Sequence, residues 1–204
     1  MLAADTPAPP RSGRRTGLLM TVTGLVGWFA SFQLTVIDWR VLKDPAYQPL
    51  CDVSPVVGCG SAMSSPQGNL FGFPNMLLGL SAFAVVAVLG VAVLSGTRLS
   101  RWLWLALNAG ALTAVVFVHW LMQVSLFELN RICPYCAAVW AVTIALFWYV
   151  TLRNLRDGVI PVPPRARGAL RLVLETHWML LGAWYGLIAT LFLTRFWSYW
   201  SSLL

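Results

Sequence analysis

Five stretches of this 204-residue chain run without a single Asp, Glu, Lys or Arg for long enough to cross a bilayer. They extend from Thr16 to Ile37, Val53 to Thr97, Trp102 to Phe127, Ile132 to Leu152 and Thr176 to Thr194. Crossing the hydrocarbon layer takes roughly 20 apolar residues. Inside that layer each backbone N–H and C=O must find its partner within the protein, which selects helices for segments of this kind. The pattern therefore predicts an all-α integral membrane protein with helices near 17–37, 75–96, 102–125, 134–152 and 177–195. A mean hydropathy of +0.72 and only 10% charged residues agree with it. The second stretch is too long for one span. Its first twenty residues, rich in Gly, Ser and Pro, are expected outside the membrane or at its surface.

The positive charges set the expected orientation. Arg11, Arg14, Arg15, Arg98, Arg101, Arg153, Arg156, Arg165, Arg167 and Arg171 fall on one side, and Arg40, Lys43, Arg131 and Arg195 on the other. The positive-inside rule then puts the N-terminus in the cytoplasm and the C-terminus outside. The net charge of +7 is thus a product of topology and not a nucleic-acid footprint. The first apolar run has no small-residue cleavage site before Trp39 and is expected to be retained as a span. The domains expected are a cytoplasmic tail (1–16), a four-helix unit (17–152) with an outer loop (38–74), a cytoplasmic linker (153–176), and a fifth helix with a short outer C-terminus (177–204). The tail is expected to be disordered. The short connections at 96–100 and 127–132 predict that the second, third and fourth helices are antiparallel neighbours. The outer loop, broken by Pro45, Pro49, Pro55 and Pro66, is expected to cap the bundle, with a short interfacial helix within 58–65.

This topology places all four cysteines outside, where disulfides persist. Cys51 and Cys59 lie in the loop, and Cys133-Pro-Tyr-Cys136 opens the fourth helix. Pro134 suits the first helical position, so Cys133 becomes the N-cap and Cys136 the third helical residue, both among unpaired N–H groups that favour a thiolate. The two pairs read as a two-station electron relay. A zinc site is disfavoured by the long spacing of the first pair, so no metal is assigned. Two static disulfides are the competing reading, against which the helix N-terminus argues, because it makes a bridge easy to reduce. A dithiol at the lip of a membrane bundle has one natural acceptor, a lipid-soluble quinone arriving from the bilayer. Cys136, one turn deeper, is expected to be the quinone-facing sulfur.

Cys51-Asp52-x6-Cys59, Ser64-Ser65, Phe71-Gly72-Phe73-Pro74 and Cys133-Pro134-Tyr135-Cys136 together resemble the vitamin K epoxide reductase family, specifically its bacterial homologues, over roughly residues 17–152. The resemblance implies a four-helix bundle around a quinone (menaquinone or ubiquinone), Cys51 and Cys59 as electron shuttle, and Cys133 and Cys136 as the catalytic pair. It also implies a DsbB-like function, reoxidising a thioredoxin-fold, DsbA-like protein. Some bacterial relatives carry a thioredoxin-like domain after the fifth helix. None follows in this sequence, so the partner is expected to be a separate protein. Animal members have a tyrosine where this chain has Trp140, which offers only a donor, and an asparagine near Gly68 or Asn69.

Asn69, Phe71, Met63, Trp140 and His119 are accordingly the quinone-binding candidates. Asp52, Ser64 and Ser65 are candidates for partner contact or loop structure. His119 and Gln123, one turn apart on the third helix, qualify as polar groups within a span, although an interhelical hydrogen bond explains each equally well. Asn108 reads as packing. The competing functions are a quinone or quinone-epoxide reductase without a dedicated partner, and a disulfide-stapled membrane protein with no catalytic role.

Overall fold

The computed structural model describes residues 11–44 and 46–202. The expectations for residues 1–10, Pro45 and residues 203–204 lie outside the described residues. Among the described residues, five helices are long and apolar enough to cross a membrane: α1 (Arg11–Lys43), α3 (Met76–Leu94), α4 (Arg101–Val124), α5 (Pro134–Arg156) and α6 (Arg167–Arg195). Two short helices accompany them, α2 (Gly60–Met63) in the loop, as expected, and α7 (Trp197–Ser201) after α6.

Helix α1 departs from expectation at both ends, starting at Arg11 and continuing to Lys43. Charged residues end an apolar span, but they do not end a helix. Nothing between Ile37 and Lys43 is Gly or Pro, so the helix continues through Asp38 and Arg40. At about 1.5 Å per residue, the 33-residue helix outruns the bilayer core and leaves a post beyond it. Leu34, Ile37 and Val41, towards that end of the helix, pack under the cysteine loop.

The closest pairing is between α1 and α3, along a seam of small residues. A Cβ at Gly24 falls 2.6 Å from the backbone N of Ala87, and one at Gly90 falls 2.5 Å from that of Thr21. In lipid, where the hydrophobic effect does not drive helices together, such close approach is the main source of association. Gly24→Val is therefore expected to destabilise the protein by about 3 kcal/mol or more, because backbone stands where the side chain must go. Unfolding in mixed micelles measures it, and an unchanged midpoint would contradict the seam's role.

Helix α5 packs on α1 and α4, and α6 lies on the periphery as expected. At one end of the α4–α5 pair, buried Asn154 donates to Asn108 Oδ1 and to the Trp104 carbonyl, both at 3.1 Å, while Asn108 donates to Thr151 Oγ1 at 2.9 Å. Asn108 thus packs α4 against α5, as the sequence predicts. Helices α3 and α4 are joined by a short turn, yet they barely touch. The neighbour relation expected of them does not hold, because α3 packs on α1 and α4 on α5, and the small side chains facing the gap leave it unfilled. Ala82 on α3, and Ala106, Gly110 and Ala114 on α4, line a slot instead of filling it.

Candidate active site

All four cysteines gather at one end of the bundle with Met63, Tyr135 and the top of α1. Cys133 caps α5 as the sequence predicts: its backbone is extended, Pro134 follows, and its sulfur accepts the Cys136 N–H at 3.4 Å. Cys51 and Cys59 are joined in a disulfide with Cα atoms 5.8 Å apart, while Cys133 and Cys136 are free thiols. The Cys133 sulfur lies 3.5 Å from the Cys59 sulfur. One member of each pair is therefore in van der Waals contact with one member of the other, the separation from which thiol–disulfide exchange starts.

Main-chain pairing holds this contact. Val57 and Ile132 form an isolated parallel bridge, with the Gly58 N–H donating to the Ile132 carbonyl at 3.0 Å and the Ile132 N–H to the Val56 carbonyl at 2.7 Å. Residues 58 and 132 immediately precede Cys59 and Cys133, so a single ladder aligns the two sulfurs. Behind it, a π-helical turn (Ser125–Leu129) leads α4 into the junction, closed by Asn130 in the left-handed region and by a hydrogen bond from Ser125 Oγ to the Arg131 carbonyl. Arg195, at the end of α6, donates to the Leu126 carbonyl at 3.1 Å and to the Asn130 side chain.

The Cys133 thiol is held below its ordinary pKa. The hydrogen bond from the Cys136 side chain contributes most, and the backbone N–H groups of Cys136 and Tyr135 add to it, while burial and the Asp52 carboxylate oppose the shift without reversing it. Cys133 is therefore the thiol of the C-x-x-C prepared to act as thiolate towards the loop.

Below the cysteines the α3–α4 slot opens into a cavity of about 800 Å³, whose wall includes Cys133, Cys136, Met63, Ser65, Phe71 and Trp140. Along α4 its lining runs from Leu103 to Val124, about 30 Å at the helical rise. A long apolar slot with two sulfurs at one end fits a flat ring carrying a prenyl chain. A bound quinone supplies a two-electron acceptor whose oxygens take up protons. Trp140, one turn beyond Cys136, forms part of the wall, and its ring leans on Phe192 of α6 with centroids 5.9 Å apart.

The remaining candidates serve the scaffold. Asn69 donates to the Met63 carbonyl at 2.8 Å and to the Ser65 carbonyl at 3.1 Å, which holds the loop and uses its amide donors. Ser64 Oγ donates to the Gly60 carbonyl, and Ser65 Oγ to the Ala62 carbonyl while accepting the Gly68 N–H, each at 2.9 Å. His119 does not line the cavity. Its Nε2 accepts the Trp184 indole N–H at 3.1 Å, so Nδ1 carries the proton and donates to the Val115 carbonyl at 2.8 Å, a link between α4 and α6. Asp52 reaches the backbone of Cys59. The slot residues Ala106, Gly110 and Ala114 went unnoticed in the sequence, although their four-residue spacing on one helix face was the available signal.

Residues 18–151 match the family model of the vitamin K epoxide reductase family, a stretch that holds all four cysteines, the capping loop and the four helices around the cavity. The chain belongs to the vitamin K epoxide reductase family.

Proposed function

We propose that the protein is a thiol:quinone oxidoreductase of the bacterial cytoplasmic membrane that reoxidises a separate DsbA-like, thioredoxin-fold protein and thereby supports disulfide formation. Its family makes it a multi-pass membrane oxidoreductase working with quinones. The observation that carries the finer reading is the 3.5 Å approach of the Cys59 and Cys133 sulfurs at the mouth of an apolar cavity. A purely stapling role leaves that approach without a use.

The loop pair divides its labour by exposure: Cys59 is fully buried, whereas Cys51 retains 8% of its surface beside Leu50 and Val53, which are 92% and 74% exposed. Cys51 is thus the sulfur that meets the partner. A partner thiolate attacks Cys51, Cys59 leaves as thiolate, and the partner's second thiol displaces Cys51 to release the oxidised partner. The Cys59 thiolate attacks Cys133 of the Cys133–Cys136 disulfide, and Cys136 departs with the electron pair of the broken bond. Cys51 then attacks Cys59, closing the loop disulfide and freeing Cys133. Finally Cys133 and Cys136 surrender two electrons and two protons as their disulfide re-forms, with Cys136 nearest the acceptor. The bonds present in the structure, loop closed and C-x-x-C open, are those expected just before this last step. Ten of the fourteen basic residues lie at the opposite end of the bundle or in its connections, which favours cysteines and C-terminus outside and N-terminus in the cytoplasm.

The decisive assay mixes the purified protein, a reduced DsbA-like protein and menaquinone or ubiquinone, and follows quinone absorbance. Catalysed loss of the oxidised quinone with matching oxidation of the partner is expected. A rate no higher than the uncatalysed one would sink the proposal, and reduction that ignores the partner's redox state would favour a reductase without a dedicated partner.

A further inference from the structure

Every step through the loop passes an interval in which the Cys51–Cys59 bond is open. During it Cys59 must stay against Cys133, and Cys51 must stay near enough to resolve the mixed disulfide. The disulfide cannot do this while it is broken. Asp52 follows Cys51 in the chain, yet its carboxylate crosses the loop: Oδ1 accepts the Cys59 N–H at 2.5 Å and the Gly60 N–H at 3.1 Å. The two residues flanking Cys59 are shaped for this. A Cβ at Gly58 would lie 2.5 Å from Asp52 Oδ1, and one at Gly60 2.9 Å from Oδ2, so the carboxylate occupies space that any side chain at either position would take. Charge-assisted bonds of this type are the strong class, and they do not depend on the sulfur oxidation state.

We propose that Asp52 is a positioning residue: its carboxylate, seated in the Gly58-Cys59-Gly60 cradle, straps the two loop cysteines together and keeps Cys59 aimed at Cys133 while the Cys51–Cys59 bond is open. The proposal deepens the relay reading and rests on it. The Gly58–Ile132 backbone pair fixes the segment before Cys59. Asp52 fixes the Cys59 N–H itself and the start of α2, and being covalently next to Cys51 it also sets that sulfur's distance. In the exchange it serves, the Cys59–Cys133 bond forms as the Cys133–Cys136 bond breaks and its electron pair leaves on Cys136. Cys51 then reverses the connection at Cys59, with the pair leaving on Cys133.

The test uses the full chain in membranes with Cys51→Ser and Cys136→Ser, which leaves the loop permanently open and Cys59 facing Cys133. Diamide serves as oxidant, and the rate of Cys59–Cys133 disulfide formation is read by non-reducing peptide mapping. Asp52→Ala is expected to slow this rate about tenfold or more, because both N–H groups lose their acceptor. Asp52→Asn keeps an acceptor oxygen of the same reach and is expected to stay within about threefold of the parent. An Ala variant that cross-links at the parent rate with its helix content intact overturns the proposal, and so does an Asn variant as slow as the Ala one. Should Asp52→Ala fail to fold, Asp52→Glu replaces it. The longer side chain moves the oxygen out of the cradle, slowing is expected, and a parent-like rate overturns the strap. The trap involves neither partner nor quinone, so its result stands apart from the quinone assay and the two readings can fail separately.

Discussion

Cys136→Ser is expected to lower dithiol-driven quinone reduction by at least about 10³-fold while leaving the helical bundle assembled, because it removes the sulfur proposed to face the acceptor and the partner with which Cys133 closes its disulfide. What accumulates is as informative as what is lost. The Cys133 sulfur still lies 3.5 Å from Cys59, within the closed loop disulfide, and its pKa is held low in part by the Cys136 N–H, which the serine retains. Attack on Cys59 then forms a Cys59–Cys133 bond with Cys51 as leaving group; Cys51 can reverse it, but the Cys136 thiol that would resolve it from α5 is gone. Non-reducing mass mapping should find that bond in a measurable fraction of the purified variant, whereas Cys133→Ser should show none. Turnover retained in Cys136→Ser would overturn the electron path, and a mixed disulfide joining Cys51 to Cys133 would reverse the assigned roles of the loop pair.

Gly110→Leu should separate the two halves of the reaction. Nothing stands within 4 Å of a Cβ built at Gly110, and the residue faces the slot, so a larger side chain enters the cavity without displacing protein. The helix itself tolerates the change, since Leu is a better helix former than Gly by roughly 0.5–1 kcal/mol. The variant is expected to fold as well as the parent and to exchange disulfides between loop and C-x-x-C at the parent rate. Its apparent KM for quinone should rise about tenfold or more, as the leucine occupies space the prenyl chain requires. Steady-state quinone titrations and diamide cross-linking of Cys59 to Cys133 report on the two halves. Equal loss in both would show that the cavity supports the fold instead of the acceptor.

The number of spans, the cap at Cys133 and the peripheral fifth helix were legible because each follows from local chemistry: the length of an apolar run, a proline at the first helical position, a Pro- and Arg-bearing linker. The misjudged end of α1 came from equating a membrane boundary with a helix boundary, two events with different causes. The α3–α4 gap was hidden because small residues in a span signal close packing as readily as empty space. Gly24 does the first and Gly110 the second, and only the neighbouring helix tells them apart. His119 illustrates the same limit for polar groups, since a histidine on a lipid-embedded helix has a direction that composition cannot supply. The pairing of Cys59 with Cys133 was equally hidden. It depends on a two-residue ladder between Val57 and Ile132, segments 75 positions apart that carry no strand pattern of their own.

The slot between α3 and α4 also changes how affinity has to be counted. Residues that line it, such as Val85 and Leu78, are at the same time 58% and 40% exposed at the protein's outer face, so its contents are continuous with the bilayer. A prenyl chain entering there exchanges one hydrocarbon environment for another. The gain of about 25 cal/mol per Å² that rewards burial from water is therefore absent. On the proposed reading, selection occurs at the ring end, beside the sulfurs, and occupancy follows the abundance of the carrier dissolved in the membrane. A site of this kind would be loaded by its solvent, leaving discrimination among isoprenoids to the few ångströms around the proposed ring position beside Cys136.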